Sequence, residues 1–306
     1  MAVEISVVAP AYNEEGVIEE FLEKVDNTLK KQKADYEIVI VDDASTDRTA
    51  SKLDALKNKY ARLVVLHNRK NLGLTGSSWK GFNEAKGKII VFLPSDLESN
   101  PETDIPRLLS ALDENTDLVV GWRYNHRQGF IKTIISLTFN QVAYYFFHVK
   151  AHDLGWVKAF RKEIIYNIEP LRSDWHRFFV VLAAYEGYKI KEIKTKYHPR
   201  KSGKSKFGRF GLNRLIGGFF DLIVIKFHTS FSKRPMLIFG ITGVLLFALG
   251  ALISVYLLFL KLTIGIIGNR TPLIFLAVLF IILGIQFFAL GFIAEFLVSI
   301  KGLIKK

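Results

Sequence analysis

The sequence predicts an α/β domain with a mostly parallel sheet, followed by two membrane-spanning helices. Short β-rich segments alternate with helical segments over residues 5–121, as in successive βαβ units. Residues 236–300 are almost entirely apolar, whereas residues 1–205 have the mixed composition of a soluble domain. A chain of 306 residues is long enough for both parts.

The first two strands of the predicted sheet flank an amphipathic helix. A β-rich segment at residues 5–9 stops at Pro10, and a helix is predicted over residues 15–31. The apolar residues of this helix recur at helical spacing, with acidic residues early and lysines late, as the helix dipole favours. The second strand, residues 36–41, runs into the aspartate-rich turn 42–47.

The alternation of helices and strands then continues along the chain. The further predicted elements are helix 47–59, strand 62–67, helix 74–86, strand 88–93, helix 102–113, strand 117–121, helix 175–186 and an exposed strand at 188–194. Strands that alternate with helices of this length form βαβ units, in which successive strands are parallel.

Two carboxylates follow the strand predicted at residues 88–93. Asp96 and Glu98 lie in the polar turn directly after this buried segment. Ligands of open α/β sheets bind at the carboxyl ends of the strands. Acidic side chains placed there are suited to a hard divalent cation, which in turn can hold a diphosphate.

Residues 130–148 and 208–234 predict two helices of a different kind. Lys132, Ser136 and Asn140 recur every four residues in an otherwise apolar stretch, so they share one helix face. The second segment has a similarly narrow polar stripe. Such helices can lie in the membrane interface with the polar face towards a site. The alternative is a core helix with one solvated stripe.

Two long apolar stretches predict a membrane domain over residues 235–306. The spans are predicted at about 236–260 and 272–296, and each can cross a hydrocarbon core of about 30 Å. Lysine and arginine are sparse between the spans and frequent on their other side, so the positive-inside rule predicts a cytoplasmic N-terminal domain and cytoplasmic termini. The first residues begin a strand and do not resemble a signal peptide.

The net charge of +13 has three possible explanations: binding to nucleic acid, to an anionic membrane surface, or to phosphorylated substrates. The predicted membrane spans favour the second and third of these. The chain contains no cysteine, which excludes a disulfide framework and a thiolate zinc site.

Several short motifs follow one another in an order that is typical of one enzyme family. They occupy residues 8–14, 41–47, Asp96, 153–156, 176–178 and 200–207. Together they resemble family 2 glycosyltransferases with a GT-A fold. The downstream motifs are similar to those of the polyprenyl-phosphate branch, which includes dolichol-phosphate mannose synthase and bactoprenyl glucosyltransferases. The resemblance covers essentially the whole chain.

The resemblance implies a nucleotide-sugar site at the ends of the first, second and fourth strands. The residues implied are Pro10, Tyr12, Glu14, Val41, Asp43, Ser95, Asp96, Arg200 and Lys206. The family usually has Asp-x-Asp followed two positions on by Gln, and this sequence has Pro94, Asp96 and Glu98 at those positions. Asp96 and Glu98 are therefore the predicted ligands of Mg²⁺ or Mn²⁺.

Asp153 and Asp96 are the predicted catalytic residues. The family places an essential acid at the position of Asp153, which can orient the acceptor, orient a sugar hydroxyl or act as a base. Positive and polar side chains must also bind a lipid phosphate. The residues implied for this role are Arg123, Lys132, Ser136 and Lys158.

The implied reaction is the metal-dependent, inverting transfer of one sugar from a nucleoside diphosphate sugar to a polyprenyl phosphate. The donor is expected to be of the GDP-mannose or UDP-glucose type, and the acceptor a dolichyl or undecaprenyl phosphate. The catalytic domain, residues 1–207, is expected to act at the cytoplasmic face of the bilayer without nucleic acid. The predicted membrane helices are also compatible with self-association into a homo-oligomer.

Three other functions remain open on the sequence. A processive polysaccharide synthase generally has a Gln-x-x-Arg-Trp motif and enough membrane spans to form a channel. This sequence has neither feature. A non-catalytic membrane scaffold of the same fold is compatible with Pro94 in place of the first acid. A nucleic-acid binder would place its basic residues in a stripe away from the strand ends.

Overall fold

The structure is a computed structural model of the chain. It describes residues 3–124, 152–168, 175–200, 235–265 and 270–304, together with positions 141, 144, 145, 149, 171, 221 and 224–226. Most of the two predicted interfacial helices, including Lys132 and Ser136, lies outside the described residues, and so does Lys206. The chain divides into two compact units, Met1–Leu222 and Ile223–Lys306.

The first unit contains the predicted α/β alternation. Its strands are β1 (Ile5–Ala11), β2 (Tyr36–Asp42), β3 (Leu63–His67), β4 (Ile89–Phe92), β5 (Leu118–Arg123), β6 (Lys158–Arg161) and β7 (Ile190–Thr195). Its described helices are α1 (Ile18–Lys31), α2 (Thr49–Lys57), α3 (Gly73–Glu84), α4 (Pro101–Ala111), α5 (Glu163–Asn167) and α6 (Phe179–Tyr185), with a 3₁₀ turn at Trp175–Arg177.

The described strands form one mixed seven-stranded sheet in the order β3-β2-β1-β4-β6-β5-β7. The pairs β1–β2, β1–β4, β2–β3 and β5–β7 are parallel, which confirms the mostly parallel sheet. Strand β6 is antiparallel to both β4 and β5. It was not predicted, because its four residues begin and end with a charged residue and show no clear alternation. The predicted helix 175–186 is the 3₁₀ turn followed by α6.

The central strands are buried on both faces, as expected for a parallel sheet covered by helices. Every residue of β2 is buried, and β1 is buried except for Pro10. Helix α3 packs closely on these strands at Gly81, where an added Cβ would lie 2.5 Å from Val8 Cγ1 and 3.0 Å from Val41 Cγ2. This close contact holds the C-terminal half of α3 against β1 and β2.

The second unit is an antiparallel pair of long helices, α7 (Pro235–Ile264) and α8 (Thr271–Ile304). Two stretches within them, Pro235–Thr263 and Thr271–Ile300, are long and apolar enough to cross a membrane. Only 17% and 11% of their most apolar windows are buried, so most apolar side chains face outwards, unlike those of core helices in soluble proteins. These properties fit the predicted membrane domain.

Glycines allow the two long helices to pack with their backbones in close contact. A Cβ added to Gly243 would lie 2.7 Å from the carbonyl oxygen of Gly284, and one added to Gly284 would lie 2.6 Å from Phe247 N. Small residues at helix contacts are typical of membrane helix pairs. At one end of the pair, the backbone N–H of Met236 donates a hydrogen bond to Glu295 Oε2 at 3.1 Å. Glu295 thereby satisfies a free donor at the N-terminus of α7.

Candidate active site

The predicted site residues follow three adjacent strands. Strands β2, β1 and β4 are parallel neighbours, so their carboxyl ends lie at one edge of the sheet. Pro10 and Val41 are register partners near the ends of β1 and β2. Ser95 Oγ donates a hydrogen bond to the carbonyl oxygen of Pro10 at 2.8 Å, which ties the turn after β4 to the end of β1. Tyr12 follows directly after β1.

Three carboxylates from these strand ends surround the guanidinium of Arg200, and we call Glu14, Asp96 and Glu98 the carboxylate cluster. Arg200 Nη2 lies 2.5 Å from Asp96 Oδ2 and 3.8 Å from Glu14 Oε1, and Arg200 Nε lies 3.1 Å from Glu98 Oε1. The backbone N–H of His198 donates to the carbonyl oxygen of Glu98 at 2.9 Å. The segment that carries Arg200 is thus anchored beside the cluster.

The carboxylate cluster concentrates negative charge in a largely buried place. Glu14 and Asp96 are buried, and the Glu98 side chain is 21% exposed. Burial raises the pKa of Glu98, and the neighbouring charge of Asp96 raises it further, while the charges of Arg200 and Arg123 lower it. Arg200 supplies a positive charge that opposes this upward shift of the Glu98 pKa.

Asp153 contacts Arg123, a residue that was predicted to bind a lipid phosphate. Arg123 Nε lies 2.5 Å from Asp153 Oδ2, and the guanidinium carbon lies 4.4 Å from the centre of the Trp156 ring. The backbone N–H of Gly155 donates to Asp153 Oδ1 at 3.3 Å. Strands β4 and β5 run in the same direction on either side of β6, so Arg123 at the end of β5 lies at the same edge of the sheet as Asp96 and Glu98.

Glu192 contacts the segment that carries Asp153 and belongs to none of the sequence motifs. Glu192 Oε1 accepts hydrogen bonds from the backbone N–H groups of His152, at 2.6 Å, and Asp153, at 3.4 Å. Glu192 Oε2 lies 2.7 Å from His152 Nδ1. No local motif marks Glu192, because it lies in an exposed-looking strand with lysines on either side.

Asp43 holds the loop after β3 in place. Its carboxylate accepts hydrogen bonds from Asn68 Nδ2 at 2.9 Å, from the backbone N–H of Leu72 at 2.7 Å and from that of Gly73 at 2.9 Å. Gly73 has φ +72°, which favours glycine. Asp43 therefore shapes this edge of the predicted nucleoside site. Its direct contact with a nucleoside stays a prediction. Its partner Asn68 lies in none of the sequence motifs.

Lys158, which was predicted to bind a lipid phosphate, is buried in β6. The side chain is one of the few charged groups in the interior, at 2% exposure, and its Nζ lies 4.9 Å from the ring centre of Phe92 and 5.6 Å from that of Phe179. Burial lowers the pKa of Lys158 to about 8, while the charge of Asp153 opposes this shift. The contact of Lys158 with a lipid phosphate stays a prediction.

We expect the substitution Lys158→Met to stabilise the folded protein at neutral pH by about 2–3 kcal/mol, because it removes a buried charge. The folded pKa of Lys158 lies below its unfolded value, so the penalty is full below about pH 8 and disappears as pH rises to about 10.4. Urea unfolding in detergent, followed by tryptophan fluorescence at pH 7 and pH 10, measures this difference.

The control for this prediction is Lys196→Met, which removes an exposed lysine and should leave the free energy of unfolding almost unchanged. A Lys158→Met variant that is less stable than the unmodified protein at pH 7 would contradict the prediction. It would mean that the ammonium group contributes a favourable interaction greater than its cost of burial.

The fold is similar to that of solved glycosyltransferases. Glucosyl-3-phosphoglycerate synthase from Mycobacterium tuberculosis, in complex with Mn²⁺, uridine diphosphate and glucosyl-3-phosphoglycerate, matches with a TM-score of 0.57 and 18% identity over 74% of this chain and 80% of that chain. The same enzyme with Mg²⁺ and uridine diphosphate matches with a TM-score of 0.56 and 17% identity over 74% and 79% of the two chains. The domain thus has the GT-A fold of these glycosyltransferases.

The family model named Glycosyl transferase family 2 matches residues 6–171. The chain belongs to this family and is a glycosyltransferase. Dodecaprenyl-phosphate galacturonate synthase from Rhizobium johnstonii is 33% identical over 303 residues, which cover 96% of this chain and 87% of the relative. Undecaprenyl-phosphate 4-deoxy-4-formamido-L-arabinose transferase from Edwardsiella ictaluri is 30% identical over 296 residues, which cover 96% and 88%. The resemblance to family 2 and to its polyprenyl-phosphate branch is confirmed.

Proposed function

We propose that this protein transfers one sugar from a nucleoside diphosphate sugar to a polyprenyl phosphate at the cytoplasmic face of a membrane. The observation that carries the proposal is that the Asp153–Arg123 pair and the carboxylate cluster lie at the same edge of the sheet. The carboxylate cluster can hold the donor diphosphate through a bound metal ion, and Arg123 can hold the acceptor phosphate. Relatives named for dodecaprenyl and undecaprenyl phosphate match 96% of the chain and support this acceptor.

Asp96 and Glu98 fit a divalent metal that is bound together with the donor. Among the described residues, no group of three or more His, Cys, Asp and Glu side chains could hold a metal. Mg²⁺, however, commonly uses one or two carboxylates and completes its shell with water and substrate phosphates. When bound, Mg²⁺ or Mn²⁺ would neutralise the charge that develops on the departing diphosphate. The metal-bound structures of glucosyl-3-phosphoglycerate synthase support this cofactor.

Arg200 occupies the position between the carboxylates where positive charge is needed. A metal ion at Asp96 and Glu98 would repel the guanidinium, which now lies 2.5 Å and 3.1 Å from these side chains. We infer that Arg200 leaves the carboxylates when metal and donor bind. The freed guanidinium can then form charge-assisted hydrogen bonds with the diphosphate.

The substitution Arg200→Gln should increase the affinity of the nucleotide-free protein for Mn²⁺ about tenfold, because a competing positive charge is removed. Titration of free Mn²⁺ by electron paramagnetic resonance measures this affinity without turnover. Lys196→Gln is a matched control, since it removes one exposed positive charge from the same segment. Equal Mn²⁺ affinity in Arg200→Gln and the unmodified protein would show that Arg200 does not compete with the metal.

In the proposed reaction, Arg123 binds the acceptor phosphate and Asp153 orients Arg123. The attacking oxygen of a lipid phosphate is already anionic at neutral pH, so little help from a general base is needed. Arg123 can bind that phosphate, and Asp153 fixes the guanidinium by their contact at 2.5 Å. Attack from the side opposite the diphosphate gives inversion at the anomeric carbon.

The membrane helices fit an acceptor that stays in the bilayer. We propose a catalytic domain of residues 1–207, a juxtamembrane helix over 208–234 and a membrane domain of 235–306. The excess of lysine and arginine outside the loop between the spans supports a cytoplasmic catalytic domain and cytoplasmic termini.

A transfer assay in detergent tests the proposed function. Purified protein is incubated with radiolabelled UDP- and GDP-sugars, a short polyprenyl phosphate, and Mg²⁺, Mn²⁺ or EDTA. The expected result is organic-extractable label that depends on metal and on one class of donor, which also identifies the sugar. Nucleotide binding without a lipid-linked product from any donor would favour the membrane scaffold instead.

A further inference from the structure

The segment that begins at His152 is held by two neighbouring strands. Strand β7 contributes Glu192, whose carboxylate accepts the backbone N–H groups of His152 and Asp153. Strand β5 contributes Trp122, whose ring stacks on the His152 ring with centres 4.2 Å apart and planes at 18°. It also contributes Arg123, which binds the Asp153 carboxylate. The backbone and the side chain of Asp153 are therefore fixed from separate directions.

We propose that Glu192 is a positioning residue for sugar transfer, which acts through Asp153. This inference rests on the proposed function. A carboxylate has enough lone pairs to accept both backbone hydrogen bonds and the contact with His152 at the same time. The Glu192 side chain is only 16% exposed. The Glu192 carboxylate contacts the backbone N–H of Asp153 and not the Asp153 carboxylate.

Strand pairing fixes the position of Glu192. It is the register partner of Val120, and β7 pairs with β5 over six consecutive residue pairs from Leu118 to Arg123. Arg123 lies at the end of the same ladder, opposite Thr195. The group that holds the Asp153 backbone and the group that binds its carboxylate are thus on two paired strands. Because the paired strands set the distance between Glu192 and Arg123, they also set the orientation of Asp153, which contacts both.

The substitution Glu192→Ala should lower kcat for transfer on the order of 10²-fold, the effect that a displacement of about 1 Å can have on a reacting group. The KM for the donor should stay unchanged, because the carboxylate cluster and Asp43 are not altered. Glu192→Gln keeps a carbonyl oxygen that can accept the two backbone hydrogen bonds, and we expect it to retain most of the activity. Glu186→Ala removes an exposed glutamate just before β7 and serves as the matched control.

A double-mutant cycle distinguishes positioning from a general structural role. In an Asp153→Asn background, Glu192→Ala should lower the residual rate by less than about twofold, because the group through which it acts is already lost. Single-turnover assays with radiolabelled donor are sensitive enough to follow this residual rate. A full additional loss in that background, or an unchanged kcat in Glu192→Ala alone, would overturn the proposal.

Hydrogen–deuterium exchange provides a readout that does not depend on activity. The peptide that contains His152 and Asp153 should exchange faster in Glu192→Ala than in the unmodified protein, and Glu192→Gln should not differ. Unchanged exchange in Glu192→Ala would overturn the proposed positioning. Absence of lipid-linked product from the unmodified protein would instead count against the proposed function, so the two failures are distinguishable.

Discussion

The substitution Asp153→Asn should lower the rate of sugar transfer about 10³-fold while leaving donor binding intact. The carboxylate of Asp153 lies 2.5 Å from Arg123 and is the only acidic partner of this arginine among the described ion pairs. A neutral amide weakens this contact and leaves Arg123 free to turn towards other charges, including Glu98. The donor side, built on the ends of β1, β2 and β4, does not include Asp153.

Two measurements on one preparation test this prediction. Single-turnover transfer reports the chemical step, and calorimetric titration with the nucleoside diphosphate reports donor binding. Asp113→Asn is the control, because it also replaces one aspartate by asparagine but at a side chain that is 48% exposed. Transfer by Asp153→Asn within tenfold of the unmodified rate would remove Asp153 from the mechanism.

The order of strands and helices could be predicted because it depends on local patterns. The apolar runs of β1, β2 and β4 and the helical spacing in α1 are each contained in a few consecutive residues. Strand β6 could not be predicted, because its four residues begin and end with a charged residue and only the pairing with β4 and β5 defines it as a strand. That strand nevertheless carries Lys158 into the interior.

The sequence motifs identified candidate residues but not the partners that their side chains have in the fold. Arg200 was expected to contact a diphosphate, and the structure places it against the predicted metal ligands Asp96 and Glu98. Asp43 was expected to contact a nucleoside, and it binds the loop after β3. Such pairings join residues far apart in sequence, so no local pattern reports them. Glu192 was missed for the same reason.

Asp96→Asn should lower transfer on the order of 10³-fold and remove its dependence on added metal. Pro94 has no carboxylate, so Asp96 and Glu98 are the only acidic side chains in the turn after β4. Among the described ion pairs of Arg200, the contact with Asp96 is the shortest, at 2.5 Å, so loss of the Asp96 carboxylate should affect both the proposed metal and Arg200. The measurement is the transfer rate against Mg²⁺ and Mn²⁺ concentration.

Glu98→Gln is the matched comparison for Asp96→Asn, because both replace one carboxylate of the same turn by an amide. The resemblance to family 2 implies a glutamine at this position, so Glu98→Gln should cost transfer only about tenfold, through weaker metal binding that a higher Mg²⁺ concentration restores. Asp96→Asn should not be restored in this way. If added metal restores both variants equally, the two carboxylates are equivalent ligands. If EDTA-sensitive transfer survives in Asp96→Asn, the metal is held elsewhere, and Arg200 is then a fixed partner of Asp96 rather than one that the metal replaces.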